Sequence, residues 1–264
     1  MCLILFAWQA HPRYSLVVAA NRDEFHKRPT AAADFWKDSP DLLAGRDLQA
    51  GGTWLGITRQ GRFAAITNYR EPQNNEPLPE KSRGHLIRDY LLDRQTPNYY
   101  ASQLLEQGKE FSGFNALLGN FDTLVYVSNR RETALELESG SHGLSNHLLD
   151  TDWPKVHLGR SRLDALLEQD KLEPEALFEL LADRNIVPGS EPPGFELKLA
   201  PELITRMSFI VSPEYGTRSS TVLLVNHDGA VTFAERQFDA AGLSTGTRCH
   251  EFRITQGSDA MGSR

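Results

Sequence analysis

The first hydrophobic residues of the chain fall into two short runs separated by a polar turn. One run opens at Cys2 and the other at Leu16, and His11-Pro12-Arg13-Tyr14-Ser15 lies between them. Apolar runs of this length, bounded by turn-forming residues, predict the two buried strands of a hairpin. Such a hairpin returns Asn21-Arg22-Asp23-Glu24 to the neighbourhood of Cys2.

The middle of the chain alternates between strand-like and helix-like patterns. Residues 25–42 show no sustained period and contain two prolines, so they predict a loop over the mouth of a site. Residues 71–82, rich in Pro, Asn and Glu, predict an exposed loop. The predicted strands are Leu42–Asp47, Thr53–Thr58 and Arg62–Tyr69, followed by helices over Arg83–Arg94, with Ser82 as N-cap, and from Thr96-Pro97 onward.

The second half of the chain repeats this alternation. Proline next to a capping position predicts helices that open at Pro154 and Pro174. Residues 186–202 contain four prolines and predict an irregular segment. Period-two alternation predicts a meander over Phe114–Leu118, Leu124–Asn129, Ala134–Glu138 and Gly143–Asn146, and later strands over Met207–Val211, Ser219–Asn226 and Ala230–Gln237.

The order of these elements predicts the fold class. Strands and helices come in blocks instead of strict alternation, so a doubly wound α/β sheet is excluded and an α+β fold is indicated. Two mainly antiparallel sheets stacked between two helix layers, an αββα sandwich, would cover every apolar face. We expect one domain over residues 1–254 and a flexible tail over residues 255–264.

Composition narrows the class of protein. The net charge of −7 disfavours nucleic-acid partners, which proteins hold by basic surfaces. Two distant cysteines, Cys2 and Cys249, make no disulfide framework and fit a reducing compartment. The opening apolar run is too short for a signal peptide and no later run could cross a bilayer. We therefore expect a cytoplasmic protein without a transmembrane segment.

Cys2 is the first candidate for chemistry. Removal of Met1 would make it the N-terminus, and an α-amine with a pKa near ~8 can accept the thiol proton at neutral pH. The neighbouring Arg22 and Asp23 could orient that amine. The alternative is that Cys2 is an inert, buried small residue and that Asn21-Arg22-Asp23-Glu24 is a solvated strand end.

Several motifs together resemble one family. The chain is similar to the NRDE family, also called the transport and Golgi organisation protein 2 family, and the similarity reaches about residue 240. The resemblance implies a fold like that of N-terminal nucleophile hydrolases and, in animals, a role in haem or lipid handling. It is carried by Met-Cys-x-Ile at the start, Asn21-Arg22-Asp23-Glu24, Arg28-Pro29-Thr30, Ala44-Gly45-Arg46-Asp47, Gly51–Gly56, Thr67-Asn68-Tyr69-Arg70, Gly143–Asn146 and Tyr215-Gly216-Thr217-Arg218.

A wider group implies roles for individual residues. Bile-salt hydrolases and penicillin acylases of the N-terminal Cys type use an early Arg and Asp, two Asn residues and a late Arg. Their pattern is similar to Asp23, Asn68, Asn146 and Arg218 here, whereas Arg22 adjoins Asp23 instead of standing two residues apart from it. Asn amides can donate to the oxyanion of acyl transfer, although both Asn residues could instead satisfy turns. Arg218 could hold Asp23 or a substrate carboxylate, or be an ordinary strand-end cation.

Two hypotheses follow, and neither specifies an oligomeric state. The first is a cysteine N-terminal nucleophile hydrolase that cleaves an amide-like, non-peptide C–N bond in a small molecule and requires no cofactor. The second is a non-catalytic protein of the same fold that binds or carries haem or an acyl lipid. The eight histidines show no zinc-site spacing and no haem-attachment motif, so no metal site is predicted.

Overall fold

The computed structural model describes residues 2–71, 81–185 and 206–255. This part of the chain forms thirteen strands, four α-helices and a 3-10 turn at Gly108–Glu110. The helices are α1 (Arg83–Leu92), α2 (Pro97–Glu106), α3 (Pro154–Glu168) and α4 (Pro174–Leu181). The strands are β1 (Cys2–Trp8), β2 (Tyr14–Phe25), β3 (Thr30–Trp36), β4 (Ser39–Asp47), β5 (Leu55–Thr58), β6 (Phe63–Asn68), β7 (Phe114–Gly119), β8 (Leu124–Ser128), β9 (Arg131–Glu136), β10 (Gly140–Leu144), β11 (Tyr215–Asn226), β12 (Ala230–Phe238) and β13 (Ser244–Arg253).

The strands form two antiparallel sheets. One has six strands in the order β10-β1-β2-β11-β12-β13, and the other has seven in the order β3-β4-β5-β6-β7-β8-β9. Helices α1 and α2 pack on the seven-stranded sheet, and α3 and α4 pack on the six-stranded sheet. Each outer sheet face is thereby covered by helices, so the predicted α+β sandwich is confirmed.

The opening hairpin is present, and its alternation assigns side chains to two different cores. Cys2 pairs with Arg22 in the β1–β2 register. Even-numbered residues of both strands, such as Ile4 and Val18, lie in the core between the sheets. Odd-numbered residues, such as Leu5, lie in the core under α3 and α4. Because successive strand residues face opposite sides, the Arg22 and Asp23 side chains leave β2 on opposite faces.

The predicted helices are present where the sequence places them. The residues expected on the inner face of α1 are all buried, namely Leu86, Ile87, Tyr90 and Leu91. Thr96 caps α2 by accepting a hydrogen bond from the Tyr99 main-chain nitrogen at 3.3 Å. Ser82 precedes α1 as expected, but its side chain makes no capping hydrogen bond.

The predicted secondary structure differs from the structure in three places. Residues 25–42 are not one long loop, because β3 and the start of β4 lie within them; register shifts in this pair break the period-two pattern. Residues 207–211 form no strand, and the main-chain nitrogen of Ile210 instead bonds to the Thr217 hydroxyl. Strand β13 is missing from the prediction, because its residues are mostly exposed and show no apolar alternation.

Strand β10 corrects the predicted meander. Strands β7, β8 and β9 follow one another in one sheet, but β10 leaves that sheet and pairs with β1 in the other. This crossing brings the residues after β10 to the start of the chain. The predicted loop at 71–82, the irregular segment at 186–202 and the tail at 255–264 lie wholly or mostly outside the described residues.

Candidate active site

The side chain of Cys2 opens into a cleft of about 460 Å³. Cys2 begins β1, an inner strand of its sheet, and is half-buried. The cleft walls come from the end of β2, the β4–β5 connection, the end of β6 and the start of α1. They include Asp23, Asn68 and several basic side chains, among them Arg22, Arg28 and Arg83.

Asn146 links the start of the chain to the end of β6. Its side-chain oxygen accepts a hydrogen bond from the main-chain nitrogen of Cys2 at 3.3 Å. Its side-chain nitrogen donates to the Asn68 carbonyl oxygen at 2.9 Å. The Ser145 hydroxyl adds a bond to the Cys2 carbonyl oxygen at 2.8 Å. Three segments distant in sequence are thus held together around the candidate nucleophile.

The two asparagines have different surroundings. Asn146 is 1% exposed, and both ends of its amide are occupied by the contacts above. Asn68 contributes its carbonyl oxygen to this network, while its side chain is exposed and lines the cleft. Of the two asparagine side chains, that of Asn68 is therefore the one that lines the cleft.

Asp23 lies beneath the cleft on the side of α3. It is 2% exposed, and its carboxylate accepts a hydrogen bond from the Thr217 hydroxyl at 2.7 Å. The Tyr215 hydroxyl fixes the main chain by donating to the Asp23 carbonyl oxygen at 2.8 Å. Burial raises the pKa of Asp23, and the charge of Lys155, the Thr217 hydrogen bond and Arg22 oppose this rise.

A register shift in β11 decides where Arg218 points. Thr217 pairs with Asp23 and Ser219 pairs with Arg22, so Arg218 is the extra residue of a β-bulge. Its guanidinium donates to the carbonyl oxygens of Phe25 and His26, each at 3.0 Å. The structure therefore does not bring Arg218 to the Asp23 carboxylate; the Thr217 hydroxyl occupies that place.

Arg22 lies on the inner face between two cavities. It is 7% exposed, and its Nη2 is 3.6 Å from Glu24 Oε2. Its Nη1 is buried and makes no hydrogen bond within the described ranges. Arg22 lines both the cleft and a second cavity of about 280 Å³, which Arg218 and Glu235 also line.

The electrostatic environment of the Cys2 thiol favours its protonated form. Burial raises the pKa of the Cys2 thiol, and the negative charge of Asp23 adds to the rise. Arg22 and the main-chain N–H of Asp23, which donates towards the sulfur, oppose it. A thiol of this kind requires a nearby base before it can attack a carbonyl carbon.

Sequence reasoning missed several residues around the site. Thr217, Ser145 and Glu235 are buried polar residues whose positions follow from strand pairing, which no local pattern reveals. Lys155 did carry a local signal, because a lysine in the first turn of a helix faces the positive end of the helix dipole. It is 1% exposed and lies among the groups near Asp23 and Cys2.

The described part of the chain contains neither a metal-binding group nor a membrane-spanning helix. Among the described residues, no three or more His, Cys, Asp or Glu side chains form a group that could hold a metal ion. The described residues that line the cleft around Cys2 include no histidine. Within residues 2–71, 81–185 and 206–255, no helix is both long and apolar enough to cross a membrane.

Comparisons by sequence match the chain over most of its length. A model of the family described as Transport and Golgi organisation 2 matches residues 1–240. The Transport and Golgi organization protein 2 homolog of Bos taurus is 35% identical over 278 residues, covering 96% of this chain and 99% of that protein. Transport and Golgi organization protein 2 of Drosophila melanogaster is 29% identical, covering 89% and 91% of the two chains.

Comparison by structure identifies a fold. The Caenorhabditis elegans ortholog of N-acylethanolamine-hydrolyzing acid amidase matches with a TM-score of 0.52 and 10% sequence identity, covering 84% of this chain and 92% of that one. At this identity the likeness concerns the fold alone, which is that of N-terminal nucleophile hydrolases.

Proposed function

Since this chain belongs to the Transport and Golgi organisation 2 family and has an N-terminal nucleophile hydrolase-like fold, we propose that it is a cysteine hydrolase of an amide-like, non-peptide C–N bond. One observation carries the proposal. The main-chain nitrogen of Cys2 is held at 3.3 Å from Asn146 Oδ1, while the Cys2 side chain lines an open cleft. Removal of Met1 would turn that nitrogen into an amine beside its own thiol.

The first half of the proposed reaction forms a thioester. The Cys2 amine accepts the thiol proton, and the thiolate attacks the substrate carbonyl carbon. The resulting oxyanion accepts a hydrogen bond from the side-chain amide of Asn68. When the C–N bond breaks, the Cys2 ammonium returns its proton to the leaving nitrogen, which departs as an amine.

The second half releases the acid. The Cys2 amine, again neutral, takes a proton from a water molecule that attacks the thioester carbon. The C–S bond then breaks, the sulfur recovers the proton and the acyl group leaves as a carboxylic acid. Asp23 does not exchange protons in this scheme; its buried carboxylate orients the amine.

The second candidate function uses the same cleft without chemistry. Burial raises the pKa of the Cys2 thiol, so the resting site is not activated, and the relatives are named for transport and Golgi organisation. We propose binding of haem or an acyl lipid as the alternative. Because no histidine lines the described cleft wall, Cys2 would be the residue to bind haem iron there, and Cys2→Ser would weaken haemin binding.

A substrate screen on processed protein tests the hydrolase. Intact-mass measurement first establishes loss of Met1. The wild type is then compared with Cys2→Ala on N-acylethanolamines, other N-acyl amides, acyl homoserine lactones and penicillins, with Cys249→Ala as the matched control because Cys249 is exposed and absent from the cleft wall. Turnover that is lost in Cys2→Ala and kept in Cys249→Ala is the expected result.

Other outcomes would contradict the hydrolase. Retention of Met1 would remove the base, and turnover equal in wild type and Cys2→Ala would place the chemistry elsewhere. Saturable haemin binding that weakens in Cys2→Ser, without Cys2-dependent turnover of any amide, would support the carrier.

A further inference from the structure

Lys155 is a buried lysine whose ammonium group has no acceptor among the described residues. It is 1% exposed, and Nζ makes no hydrogen bond within the described ranges. The Trp153 ring centroid lies 5.8 Å from Nζ. A lysine buried without a partner costs folding free energy, so its placement calls for an explanation.

The position of Lys155 in its helix adds to this cost. Lys155 is the second residue of α3, whose first turn contains no acidic side chain. Backbone N–H groups concentrate positive charge at a helix N-terminus, so a cation there is disfavoured. Two unfavourable features at one residue are typical of functional sites, where local rules are broken for a purpose.

Close packing holds α3 against β1, the first strand of the chain, and against β10. A Cβ atom added to Gly143 of β10 would lie 2.5 Å from Val156, and one added to Gly159 of α3 would lie 2.7 Å from Leu5 of β1. Both distances are too short for a side chain, so glycine permits α3 to approach β1 and β10. This docking holds Lys155 on the α3 side of the sheet, the side from which Asp23 leaves β2.

The groups that act on Lys155 are those of the proposed site. Burial lowers the pKa of Lys155 to about 8, the charges of Asp23 and Cys2 oppose this, and Arg70, from the end of β6, adds to it. His147 precedes α3, and burial lowers its pKa, favouring its neutral form. The negative groups whose charges act on Lys155 are therefore the Asp23 carboxylate and, when it forms, the Cys2 thiolate.

We propose that Lys155 is a positioning residue whose buried ammonium balances Asp23 and keeps the amine of processed Cys2 uncharged, an inference that rests on the proposed function. A buried carboxylate alone would hold that amine as an ammonium ion, which cannot accept a proton. With Lys155 present, a second ammonium ion would leave the cluster with an uncompensated positive charge. The amine therefore keeps its lone pair and can accept the thiol proton.

The test measures the charge states of Cys2 directly, without a substrate. The protein is processed and carries Cys249→Ser. The rate of alkylation by iodoacetamide is measured against pH for the thiol, and the rate of acylation by acetic anhydride, followed by peptide mapping, is measured against pH for the α-amine. The pH midpoint of each rate profile gives the charge state of its group. Lys155→Met removes the charge and keeps much of the length, Lys155→Arg keeps the charge, and Lys171→Met makes the same change at an exposed lysine.

In Lys155→Met, the pH midpoints of thiol alkylation and of α-amine acylation are both expected to rise. Loss of one positive charge should raise each midpoint by about one pH unit and slow thiol alkylation near pH 7 roughly tenfold. Lys155→Arg and Lys171→Met should follow the wild type. Midpoints in Lys155→Met that coincide with those of the wild type would overturn the inference, even if that variant melted at a different temperature.

A measurement on wild type covers the case in which Lys155→Met does not fold. In NMR spectra of protein with isotope-labelled lysine, the Cε signal that is lost in Lys155→Arg belongs to Lys155. This signal should titrate at a lower pH than those of the exposed lysines, and it should move when Cys2 is alkylated. A signal that does neither also overturns the inference. Shifted midpoints without any Cys2-dependent turnover would reject the hydrolase and keep the role of Lys155. Cys2-dependent turnover with unshifted midpoints would support the hydrolase and reject the role of Lys155.

Discussion

Asn146 acts through the two ends of one amide. Its oxygen accepts from the Cys2 main-chain nitrogen and its nitrogen donates to the Asn68 carbonyl oxygen. The nitrogen keeps a second N–H, but the residue is 1% exposed and is not part of the described cleft wall, so we assign Asn146 to positioning. The exposed amide of Asn68 is the group with room to meet an oxyanion.

Asn146→Ala should therefore reduce both stability and turnover. The substitution leaves the part-buried Cys2 nitrogen and the Asn68 carbonyl oxygen without this partner, at a cost of roughly 2 kcal/mol in the free energy of unfolding. It also frees the Cys2 amine to move, so turnover per folded molecule should fall. Denaturant unfolding measures the first effect, and turnover of a Cys2-dependent substrate measures the second.

Asn129→Ala is the matched control for this change. Asn129 uses both ends of its amide as well, accepting from Phe114 N at 2.8 Å and donating to Gly108 O at 2.9 Å, but its partners do not include Cys2 or Asn68. It should lose comparable stability and keep its turnover per folded molecule. Equal loss of turnover in both variants would mean that Asn146 has no special relation to Cys2.

Glu235 is a buried acid that joins the two sheets. It lies on β12, is 4% exposed, and its carboxylate accepts from the main-chain nitrogen of Ala33 on β3 at 2.7 Å. Burial raises the pKa of Glu235, against the opposing effects of that hydrogen bond and of Arg22. The folded protein thus binds this proton more tightly than the unfolded chain.

The sign of the pH dependence follows from that difference. The stability that the protonated Glu235 contributes is present below the ordinary glutamate pKa and is lost as pH rises through the raised value in the folded state. Glu235→Gln keeps an oxygen for Ala33 and removes the charge, so it should melt above wild type at pH 7, with the gap closing towards pH 4. Thermal melts over this range test it; a constant gap would contradict it.

The contact between Gly52 and Gly84 sets the distance of α1 from the β4–β5 connection. A Cβ atom on Gly52 would lie 2.5 Å from the main chain of Gly84, and Gly84 O accepts from Thr53 N at 3.2 Å. Gly52→Ala should therefore push α1 outward and cost about 1–3 kcal/mol of unfolding free energy.

Gly140→Ala is the control for this packing effect. The nearest atom to its new Cβ would be at 3.5 Å, an ordinary contact, so the change should stay within about 0.5 kcal/mol. Denaturant midpoints of both variants provide the comparison. Similar stabilities would show that α1 can shift without loss, and that the cleft wall around Arg83 is more compliant than its close packing indicates.

Elements with a strong local pattern could be predicted, and elements defined by their partners could not. The hairpin and the helices follow from apolar runs, prolines and caps at Leu16, Thr96 and Pro154. The meander prediction failed at β10 because pairing with β1 instead of β9 is a choice between distant partners. For the site, Cys2 and the asparagines stood out by residue type, whereas the bulge that replaces Arg218 by Thr217 at Asp23 depends on strand register.

At the scale of the whole molecule, the proposed site exists only after both sheets have met. Cys2 and Asp23 come from the six-stranded sheet, Asn68 ends a strand of the seven-stranded sheet, and Asn146 bridges them. All of these contacts join residues far apart in sequence, which makes them slow to form and dependent on the complete sandwich. A fragment containing one sheet is therefore not expected to position Cys2.

The location of Cys2 on an inner strand, with the cleft as its outlet, has a practical consequence for handling the protein. Any purification tag or fusion partner attached ahead of Cys2 would turn the proposed amine into an amide and would extend from a residue that lines the cleft. A preparation with a cleavable leader should therefore be inert before cleavage and gain Cys2-dependent turnover once a protease exposes Cys2, whereas a carboxy-terminal tag should be harmless. Assaying one batch before and after cleavage measures this, and full turnover with the leader attached would show that neither the free amine nor the open cleft is needed.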